Sequence, residues 1–253
     1  MVLAIAGSDS GGGAGIQADL KAIAACGAHG TTAITAVTSQ NTRGVTAVHM
    51  VPLEHIRSQI AAVFDDYEVA AVKIGMLGNR ETAELVAEEM AARKPRQLVL
   101  DPVMIATTGA RLLDEKAMDI MIRRLIPLAD AVTPNLPEAE ALLGMRISKP
   151  ADAATAGARL REMGARTVLL TGGHGQGREI VDHFFDEDGE LGLRHSRLRV
   201  TGHGTGCALA SALAAGLATG LEPRVAARRA MMYVHQGLDS GYQPGASDLT
   251  VLG

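Results

Sequence analysis

The residues best placed to do chemistry stand in one glycine-rich run. It reads Val200-Thr201-Gly202-His203-Gly204-Thr205-Gly206-Cys207 and passes directly into the uncharged stretch Ala208 to Leu221. A Gly-x-Gly-x-Gly turn lets successive backbone N–H groups converge, and a helix that begins near Gly206 adds unpaired donors and the positive end of its dipole. The apolar alternation up to Val200 predicts a strand, and the order strand, glycine turn, helix is typical of phosphate sites. We therefore expect an anion-binding loop here.

The two cysteines lie in different predicted settings. Two are too few for a disulfide framework or a thiolate zinc site. Cys26 comes late in a predicted amphipathic helix, where we expect it to pack as a small apolar residue. Cys207 stands at a predicted helix N-terminus, which stabilises a thiolate. His203, one residue before the predicted turn, is expected to be a loop histidine packed on the glycines.

Two carboxylates follow predicted strands. Asp101 comes after Leu98-Val99-Leu100, and Glu138 comes three residues after Asn135. Taken singly, each has a structural interpretation as a strand end or a helix first turn. Beside a phosphate site, however, such carboxylates can hold Mg²⁺ and its waters. Asp101 and Glu138 are therefore candidate metal ligands if the fold brings them beside the glycine run.

Two further glycine motifs follow predicted strands. The run from Gly7 to Gly15 lacks the third glycine of a dinucleotide fingerprint and the Lys of a Walker loop, which disfavours NAD binding and P-loop chemistry. The run from Gly172 to Arg178 also lacks that Lys, but it could contact the edge of a nucleotide. In open α/β sheets ligands gather beyond the carboxyl ends of strands. The Gly7, Asp101, Thr171 and Gly202 regions are therefore expected to converge on one crevice.

The elements that must position these residues alternate along the chain. Short apolar runs separated by segments of helical period imply a doubly wound, mostly parallel sheet flanked by helices. The predicted strands are Val2–Ala6, Thr32–Thr38, Val69–Ile74, Gln97–Leu100, Ala131–Val132 and Thr167–Leu170, and predicted helices include Ala14–Ala25, Glu81–Ala92 and Glu115–Ile126. An antiparallel hairpin of Glu179–Phe185 and Leu191–Val200 is expected at one edge, and Thr46–Val51 is expected to be a short excursion.

Composition narrows the function classes. The chain has 253 residues, 47% of them hydrophobic and 21% charged, with a net charge of -4. The net negative charge and the small number of aromatic residues do not indicate a surface that binds nucleic acid. The N-terminus lacks the features of a signal peptide, and the apolar stretch after Cys207 is too short for a membrane span. We expect a cytoplasmic protein with one domain over residues 1–253, no nucleic acid partner and no membrane partner.

Several ordered blocks of the sequence resemble one enzyme family. Over nearly its whole length the chain is similar to the hydroxymethylpyrimidine/phosphomethylpyrimidine kinases of thiamine biosynthesis, in the ribokinase superfamily. The resembling blocks are Ala6 to Lys21, Thr35 to Thr42, Lys73-Ile74-Gly75-Met76-Leu77, Asp101-Pro102-Val103-Met104, Thr133 to Glu140 and His203-Gly204-Thr205-Gly206-Cys207. The resemblance implies a ribokinase-like α/β fold, ATP as co-substrate, Mg²⁺ as cofactor and a homodimer.

The resemblance also implies a substrate pocket. Gln40 would hydrogen-bond the aminopyrimidine, with Gly7, Asp19, Met76 and Val103 around the ring. Physical chemistry agrees, because an amide presents a donor and an acceptor side by side and matches an aminopyrimidine edge. Met and Val side chains supply apolar walls.

The remaining roles concern phosphate and proton transfer. By resemblance, Asn135 and Glu138 help to organise Mg²⁺ and phosphates, while Gly204, Thr205 and Gly206 form the anion hole. Asp101 remains a second candidate metal carboxylate from its place after a predicted strand. Cys207 stands where sugar kinases of the superfamily carry an aspartate base, and it would accept the hydroxymethyl proton. The second transfer, onto an already ionised phosphate, hardly needs a base.

Three positions depart from the family pattern. Thr171 stands where relatives often have Lys, Ala106-Thr107-Thr108-Gly109 replaces a frequent Ala-Lys-Ser-Gly, and Ala208 replaces the usual Thr. Two cationic contacts to nucleotide phosphate are thus missing, although Thr171 is still expected at the ATP site.

Two other functions stay open at this point. A pyridoxal kinase of the same superfamily also acts on a hydroxymethyl group of a nitrogen ring. A non-catalytic pyrimidine-binding regulator would keep the ring pocket but would have no use for an anion hole that faces a magnesium site. Retention of Asn135, Glu138 and Cys207 together argues against the regulator, and Gln40 and Met76 favour the pyrimidine without excluding pyridoxal.

Overall fold

A sheet of nine strands forms the centre of the protein. The structure is a computed structural model that describes residues 1–173 and 177–253, so that part of the predicted contact at Gly172 to Arg178 lies outside the described residues. The strands of this sheet are Val2–Asp9 (β1), Gly30–Asn41 (β2), Gly44–Met50 (β3), Ala71–Ile74 (β4), Leu98–Leu100 (β5), Ala131–Val132 (β6), Thr167–Leu170 (β7), Glu179–Asp186 (β8) and Gly189–Ser196 (β9). They lie in the order β3-β2-β1-β4-β5-β6-β7-β8-β9.

The inner strands are parallel and the outer strands are antiparallel. Strands β2, β1, β4, β5, β6 and β7 pair in parallel, whereas β3 pairs antiparallel with β2, and β8 and β9 form an antiparallel hairpin next to β7. Every residue of β4, β5, β6 and β7 is buried, as expected for parallel strands covered on both faces. The predicted doubly wound sheet with an antiparallel edge hairpin is confirmed.

Helices cover both faces of the sheet. They are Gly15–Ala25 (α1), Leu53–Asp66 (α2), Arg80–Arg93 (α3), Glu115–Ile120 (α4), Leu136–Leu143 (α5), Pro150–Glu162 (α6), Thr205–Ala218 (α7) and Pro223–Asp239 (α8). Apolar side chains of α2 to α6 form one core with the sheet, and those of α1, α7 and α8 form the other. Cys26 is half-buried against the second core, so its predicted packing role is confirmed. In the described residues no helix is both long enough and apolar enough to cross a membrane.

The segment predicted as one helix, Glu115–Ile126, is helical but consists of three consecutive types of helix. The α-helix ends at Ile120, a π-helical turn covers Met121–Leu125, and a 3-10 turn covers Ile126–Leu128. Pro127 explains the end of this segment, because proline has no N–H to donate and its ring clashes with the carbonyl four residues earlier.

The strand expected before the main glycine run is shorter than predicted. Strand β9 ends at Ser196, and Val200 is 42% exposed instead of lying in the hairpin. A separate two-residue strand, Thr201–Gly202 (β10), pairs in parallel with Leu249–Thr250 (β11) near the C-terminus. The prediction of a hairpin strand leading into the glycine turn was therefore wrong, and the turn is instead held by a partner distant in sequence.

Candidate functional site

A cavity of about 580 Å³ opens at the carboxyl ends of the parallel strands. The predicted convergence is confirmed, because the Gly7, Asp101, Thr171 and Gly202 regions all contribute to its wall. Of the residues expected in a site, those that line this cavity are Gly7, Gln40, Met76, Asp101, Val103, Asn135, Glu138, Thr171, Gly204, Thr205, Gly206 and Cys207. One cavity thus brings Gln40 together with the N-terminus of α7, and His203, which lies 3.5 Å from Gln40, directly precedes the N-cap Gly204.

The N-terminus of α7 lies at the glycine turn where anion binding was expected, and we refer to it as the anion-binding turn. Gly204 is its N-cap residue, with φ 71° and ψ 13°, and the first turn carries no acidic residue. This left-handed conformation favours glycine, and a Cβ at Gly204 would collide with the carbonyl oxygen of Gly13. The two glycine loops are therefore in close contact. Unpaired amides at the start of a helix and the helix dipole favour anions, so the geometry is suited to the predicted role.

Asp9 organises the loop that precedes α1. Its carboxylate accepts hydrogen bonds from the amides of Gly11 at 2.7 Å, Gly13 at 3.1 Å and Ala14 at 2.8 Å. Burial alone would raise the pKa of Asp9, but hydrogen bonds from His203, Gly11 and Ala14 outweigh it and hold that pKa below its usual value. Asp9 was missed in the sequence, although an aspartate two residues before a glycine run is a known signal for a turn held by its side chain.

His203 packs between the two glycine loops. The residue is 3% exposed, and a Cβ at Gly13 would meet its imidazole ring. Its Nε2 lies 3.3 Å from Oδ2 of Asp9, and its backbone amide donates to the carbonyl of Thr250 at 2.8 Å. The expected packing role is confirmed, and the ring also lines the cavity.

Gln40 reaches the cavity from the end of β2. Its Nε2 is 3.5 Å from Nε2 of His203, and its Oε1 is 3.2 Å from Oγ1 of Thr38. The Gln40 backbone amide also donates to Oγ of Ser10 at 2.8 Å. Both the backbone and the side chain of Gln40 are therefore fixed by neighbours, as a residue that reads a ligand edge requires.

A buried lysine lies beneath the anion-binding turn. The Nζ of Lys73, on β4, is 2.8 Å from Oδ1 of Asp19 and 3.6 Å from Oδ2 of Asp101, and the Lys73 and Asp19 side chains have no exposed surface. Burial alone lowers the pKa of Lys73, but Asp19, Cys207 and Asp101 outweigh it and hold that pKa above its usual value. No local sequence pattern indicates this role, because only the fold brings β4 and α1 together.

Asp19 does not lie where the resemblance placed it. The structure puts its carboxylate below the cavity wall, bonded to Lys73 and to the hydroxyl of Ser211 at 2.8 Å. The expected position of Asp19 around a bound ring is therefore wrong for this structure. The physical reason is the neutralisation of the buried ammonium, which requires a carboxylate in direct contact.

The environment of Cys207 also differs from the expectation. The residue is half-buried and lies close to the carboxylate of Asp101. Burial raises the pKa of Cys207 to about 12, with Asp101 and Asp19 adding to the rise, and neither Lys73 nor the amide of Gly15 compensates. The prediction of a stabilised thiolate was therefore wrong, because desolvation and two nearby carboxylates exceed the effects of Lys73 and the Gly15 amide.

Asn135 and Glu138 form a capping box at the start of α5. The Asn135 side chain accepts from the Glu138 amide at 2.9 Å, and the Glu138 carboxylate accepts from the Asn135 amide at 2.9 Å. Burial and then repulsion from Asp101 raise the pKa of Glu138 to about 8, against hydrogen bonds from the amides of Asn135 and Met104. The structural interpretation of this pair as a helix cap is therefore confirmed, and both residues line the cavity, while their role towards Mg²⁺ and phosphates stays a prediction.

The carboxylates of Asp101 and Glu138 are better suited to bind a magnesium ion than to lie near each other without a cation. Their carboxylates repel, and Oδ2 of Asp101 is buried without a hydrogen-bond partner. The described residues contain no group of three or more protein ligands around a metal position. Mg²⁺ nevertheless is commonly held by one or two carboxylates together with waters and substrate phosphates. The donor set is therefore suited to that ion.

The wall of the cavity carries no Lys or Arg side chain among the residues that the structure describes. Thr107 and Thr171, the two positions at which a lysine was noted as missing, both line it. An anion in this cavity would therefore have backbone amides and helix dipoles as its partners.

The comparisons with known proteins agree over most of the chain. A family model described as phosphomethylpyrimidine kinase matches residues 9–251. The chain is 48% identical over 215 residues to a hydroxymethylpyrimidine/phosphomethylpyrimidine kinase of Haemophilus influenzae, with 83% of this chain and 80% of that protein covered. It is 47% identical over 236 residues to a thiamine biosynthesis bifunctional protein of Geobacter sulfurreducens, where 92% of this chain spans 48% of that protein. The chain thus corresponds to about half of that longer relative.

Solved structures lead to the same family and superfamily. A crystal structure of phosphomethylpyrimidine kinase from Clostridium difficile 630 has a TM-score of 0.83 and 40% identity, covering 92% of this chain and 97% of that one. An ADP complex of Bacillus subtilis pyridoxal kinase has a TM-score of 0.92 and 32% identity, covering 99% and 96%. The overall fold is thus shared by pyrimidine and pyridoxal kinases, and the closer sequence similarity is to the pyrimidine kinases.

Proposed function

The chain belongs to the phosphomethylpyrimidine kinase family, and from that premise we propose the reaction of its cavity. The γ-phosphoryl group of ATP passes to 4-amino-5-hydroxymethyl-2-methylpyrimidine and then, in a second transfer, to the monophosphate, as a step of thiamine biosynthesis. One observation carries this proposal. A single cavity is lined by an amide that can read a ring edge, Gln40, by the N-terminus of α7 and by the carboxylates of Asp101 and Glu138.

The ring end of the cavity suits an aminopyrimidine. Gln40 offers a donor and an acceptor side by side, and Gly7, Met76 and Val103 line the same cavity. A Cβ at Gly7 would lie 2.9 Å from the sulfur of Met76, so glycine is needed there for the Met76 side chain to contact a flat ring. We propose that the ring binds between Met76 and Val103 with its polar edge on Gln40.

The other end suits a transferring phosphoryl group. The amides of Gly204, Thr205 and Gly206 neutralise the negative charge that develops on its oxygens. Asn135 orients Glu138 through the capping box, and Asp101 and Glu138 would hold Mg²⁺ through its waters. When bound there, the ion neutralises charge on the nucleotide phosphates. Thr171 would contact the nucleotide with its backbone and hydroxyl in place of a lysine.

Cys207 is proposed to face the hydroxymethyl oxygen in the first transfer. Removal of the hydroxyl proton by sulfur is the role that the resemblance implies. A thiol whose pKa is about 12 is almost entirely protonated at neutral pH, so this role predicts a first transfer that accelerates as pH rises. In the second transfer the acceptor is an ionised phosphate, and positioning with charge neutralisation suffices.

We also propose the setting in which the enzyme works. Free Cys26 and Cys207 suit the reducing cytoplasm. Val37 and Val48 are 49% and 45% exposed near the outer edge of the sheet, which supports a homodimer with this edge covered. The family match from residue 9 to residue 251 supports one kinase domain over residues 1–253.

The proposal is tested by measuring ADP production with Mg-ATP and three acceptors. Turnover with hydroxymethylpyrimidine and with its monophosphate supports the double kinase. Turnover with pyridoxal alone would instead identify the protein as a pyridoxal kinase of vitamin B6 salvage. Calorimetric binding of the pyrimidine without any ADP production, at all Mg²⁺ concentrations, would support a non-catalytic regulator instead.

A further inference from the structure

The side-chain amide of Gln40 lies between two polar neighbours that determine which way it faces. One of its terminal atoms is near Oγ1 of Thr38, and the other is near Nε2 of His203. The oxygen and the NH₂ group of an amide occupy similar positions, and their partners decide which is which. The orientation matters because it decides where a bound ring meets a donor and where it meets an acceptor.

Asp9 fixes the proton on His203. The Asp9 carboxylate accepts three backbone amides and has a lowered pKa, so it is ionised. Its Oδ2 lies 3.3 Å from Nε2 of His203. An unprotonated Nε2 would direct a lone pair at an ionised oxygen, which is repulsive, whereas a protonated Nε2 donates to it. His203 therefore presents an N–H at Nε2.

That N–H determines what Gln40 places beside it. An amide NH₂ at 3.5 Å from Nε2 would bring two donors together, whereas an amide oxygen there would accept from the same N–H that serves Asp9. The hydroxyl of Thr38 supplies a second constraint, because its one proton is donated to the carbonyl of Ser8 at 2.9 Å. The Thr38 oxygen can then only accept from Gln40. Both neighbours therefore favour Oε1 towards His203 and Nε2 towards Thr38. This exchanges the amide oxygen and nitrogen relative to the distances given above, in which Nε2 is 3.5 Å from His203 and Oε1 is 3.2 Å from Thr38.

We infer that Asp9, His203 and Thr38 form an orientation lock on the Gln40 amide, and that this lock selects the donor and acceptor pattern of the ring. The inference rests on the proposed function and adds His203 and Thr38 as positioning residues. With the lock set, Oε1 keeps one lone pair and Nε2 keeps one N–H for a ligand. The cavity therefore offers an acceptor on the His203 side and a donor on the Thr38 side.

This pattern matches an aminopyrimidine in one orientation. The exocyclic 4-amino group donates to Oε1, and the ring N3 accepts from Nε2. His203 directly precedes Gly204, so the amino group lies on the side of the anion hole. The hydroxymethyl group is bonded to the neighbouring ring carbon C5 and is thereby directed towards the reacting end of the cavity.

The same pattern disfavours pyridoxal. In the equivalent orientation pyridoxal presents an aldehyde oxygen, an acceptor, where the pyrimidine has its amino group, and a hydroxyl where the pyrimidine has N3. Oε1 would then face another acceptor unless the amide rotated, and rotation would place its NH₂ against the N–H of His203. An amide held in one orientation in this way distinguishes two classes of ring substrate whose kinases share one fold.

The test compares two pyrimidines of nearly equal shape with Mg-ATP. One is the 4-amino substrate, and the other is its 4-oxo counterpart, which carries a carbonyl at C4 and an N–H at N3 and so reverses the pattern. We expect the wild-type protein to prefer the amino ring by at least about 30-fold in kcat/KM, because the oxo ring leaves buried polar groups mispaired. Equal kcat/KM values for the two rings would overturn the lock.

Variants then assign the preference to the lock. His203→Leu and Thr38→Val each free the amide to rotate, so the amino preference should fall at least about tenfold while the KM for ATP stays unchanged. His203→Asn keeps an N–H donor and should retain most of the preference. His183→Leu is the matched control, because His183 contacts Glu190 on the edge hairpin outside the cavity.

The outcomes separate the lock from a merely structural effect and from the proposed function. A structural effect lowers activity on both rings without changing their ratio, and an unchanged ratio in Thr38→Val and His203→Leu overturns the lock. Thr38→Val alone decides the matter if His203→Leu does not fold. Absence of turnover with both rings in the wild-type protein would instead remove the proposed function, on which the lock depends.

Discussion

The Nζ of Lys73 lies 2.8 Å from Oδ1 of Asp19, and neither side chain has exposed surface. Ser211 donates to the same oxygen at 2.8 Å, so one carboxylate joins β4, α1 and α7. Because α7 begins at the anion-binding turn, this buried contact holds the floor of the cavity. The buried cluster contains the carboxylates of Asp19 and Asp101 but only one ammonium group, that of Lys73. It is therefore sensitive to loss of the lysine.

Replacement of that lysine should destabilise the whole domain. Lys73→Met leaves Asp19 and Asp101 buried beside each other without a cation, and breaking such a buried pair costs about 3–5 kcal/mol. Urea unfolding measures this loss. Arg80→Met is the control, because Arg80 and Glu84 form a half-exposed pair worth about 0.2–1 kcal/mol. A loss for Lys73→Met as small as that of the control would contradict the assigned role.

Loss of the Gln40 amide should weaken pyrimidine binding and spare ATP. Gln40→Leu keeps the approximate volume and leaves the ring amino group and N3 without partners, so the KM for hydroxymethylpyrimidine should rise at least about tenfold. Steady-state kinetics with each substrate varied in turn gives both KM values. An unchanged pyrimidine KM would show that Gln40 does not read the ring.

Truncation of the thiol should separate the two phosphoryl transfers. Cys207→Ala removes the atom that faces the hydroxymethyl oxygen, so the first transfer should slow by about 10²-fold or more and the second by much less. Single-turnover rates with the alcohol and with the monophosphate measure the two effects. If sulfur is the base, the wild-type first transfer also accelerates with pH above 7, because the thiol pKa is about 12. Equal slowing of both transfers would assign Cys207 to positioning alone.

Two glycines of the anion-binding turn should respond differently to alanine. Gly204→Ala forces a Cβ into the carbonyl of Gly13 at φ 71°, which should cost more than about 1–2 kcal/mol of stability. Gly206→Ala meets nothing closer than Oδ1 of Asp101 at 3.9 Å, so the fold should remain stable while the added methyl obstructs the phosphate. Thermal unfolding and kcat/KM, measured on both variants, check the contrast. Equal loss of stability in both would contradict it.

Glu138 should make stability depend on pH. Its pKa is about 8 in the folded protein and near 4.5 when unfolded, so the folded state binds the proton more tightly. The group therefore favours folding below pH 4.5, and that contribution is lost as pH rises to about 8, by on the order of a few kcal/mol. Urea unfolding without divalent cations should show the decline in the wild type and a weaker one in Glu138→Gln. A larger rise in melting temperature with Mg²⁺ for the wild type would support the metal role, and parallel pH profiles would contradict the assignment.

Local sequence patterns determined the fold class and most of the cavity wall. Alternating strand and helix periods specify a parallel sheet because neither element can bury its apolar face alone. Since ligand loops follow the carboxyl ends of such strands, Gly7, Asp101, Thr171 and Gly202 could be assigned to one crevice in advance. The resemblance added the identity of the residues expected there, and the family match agrees with it.

Contacts between distant segments decided the rest. Asp19 was expected at the ring, but it pairs with Lys73, which reaches it only through the packing of β4 against α1. Cys207 was expected to ionise, but burial and the neighbouring Asp101 and Asp19 raise its pKa. Likewise, Asp9 and His203 are 194 residues apart and meet only because two glycine loops are in contact. Charge, desolvation and proton position depend on distances in space, and those distances are set by tertiary packing. The sequence by itself therefore determined the class of site, and the tertiary structure decided its protonation and the direction in which its amide faces.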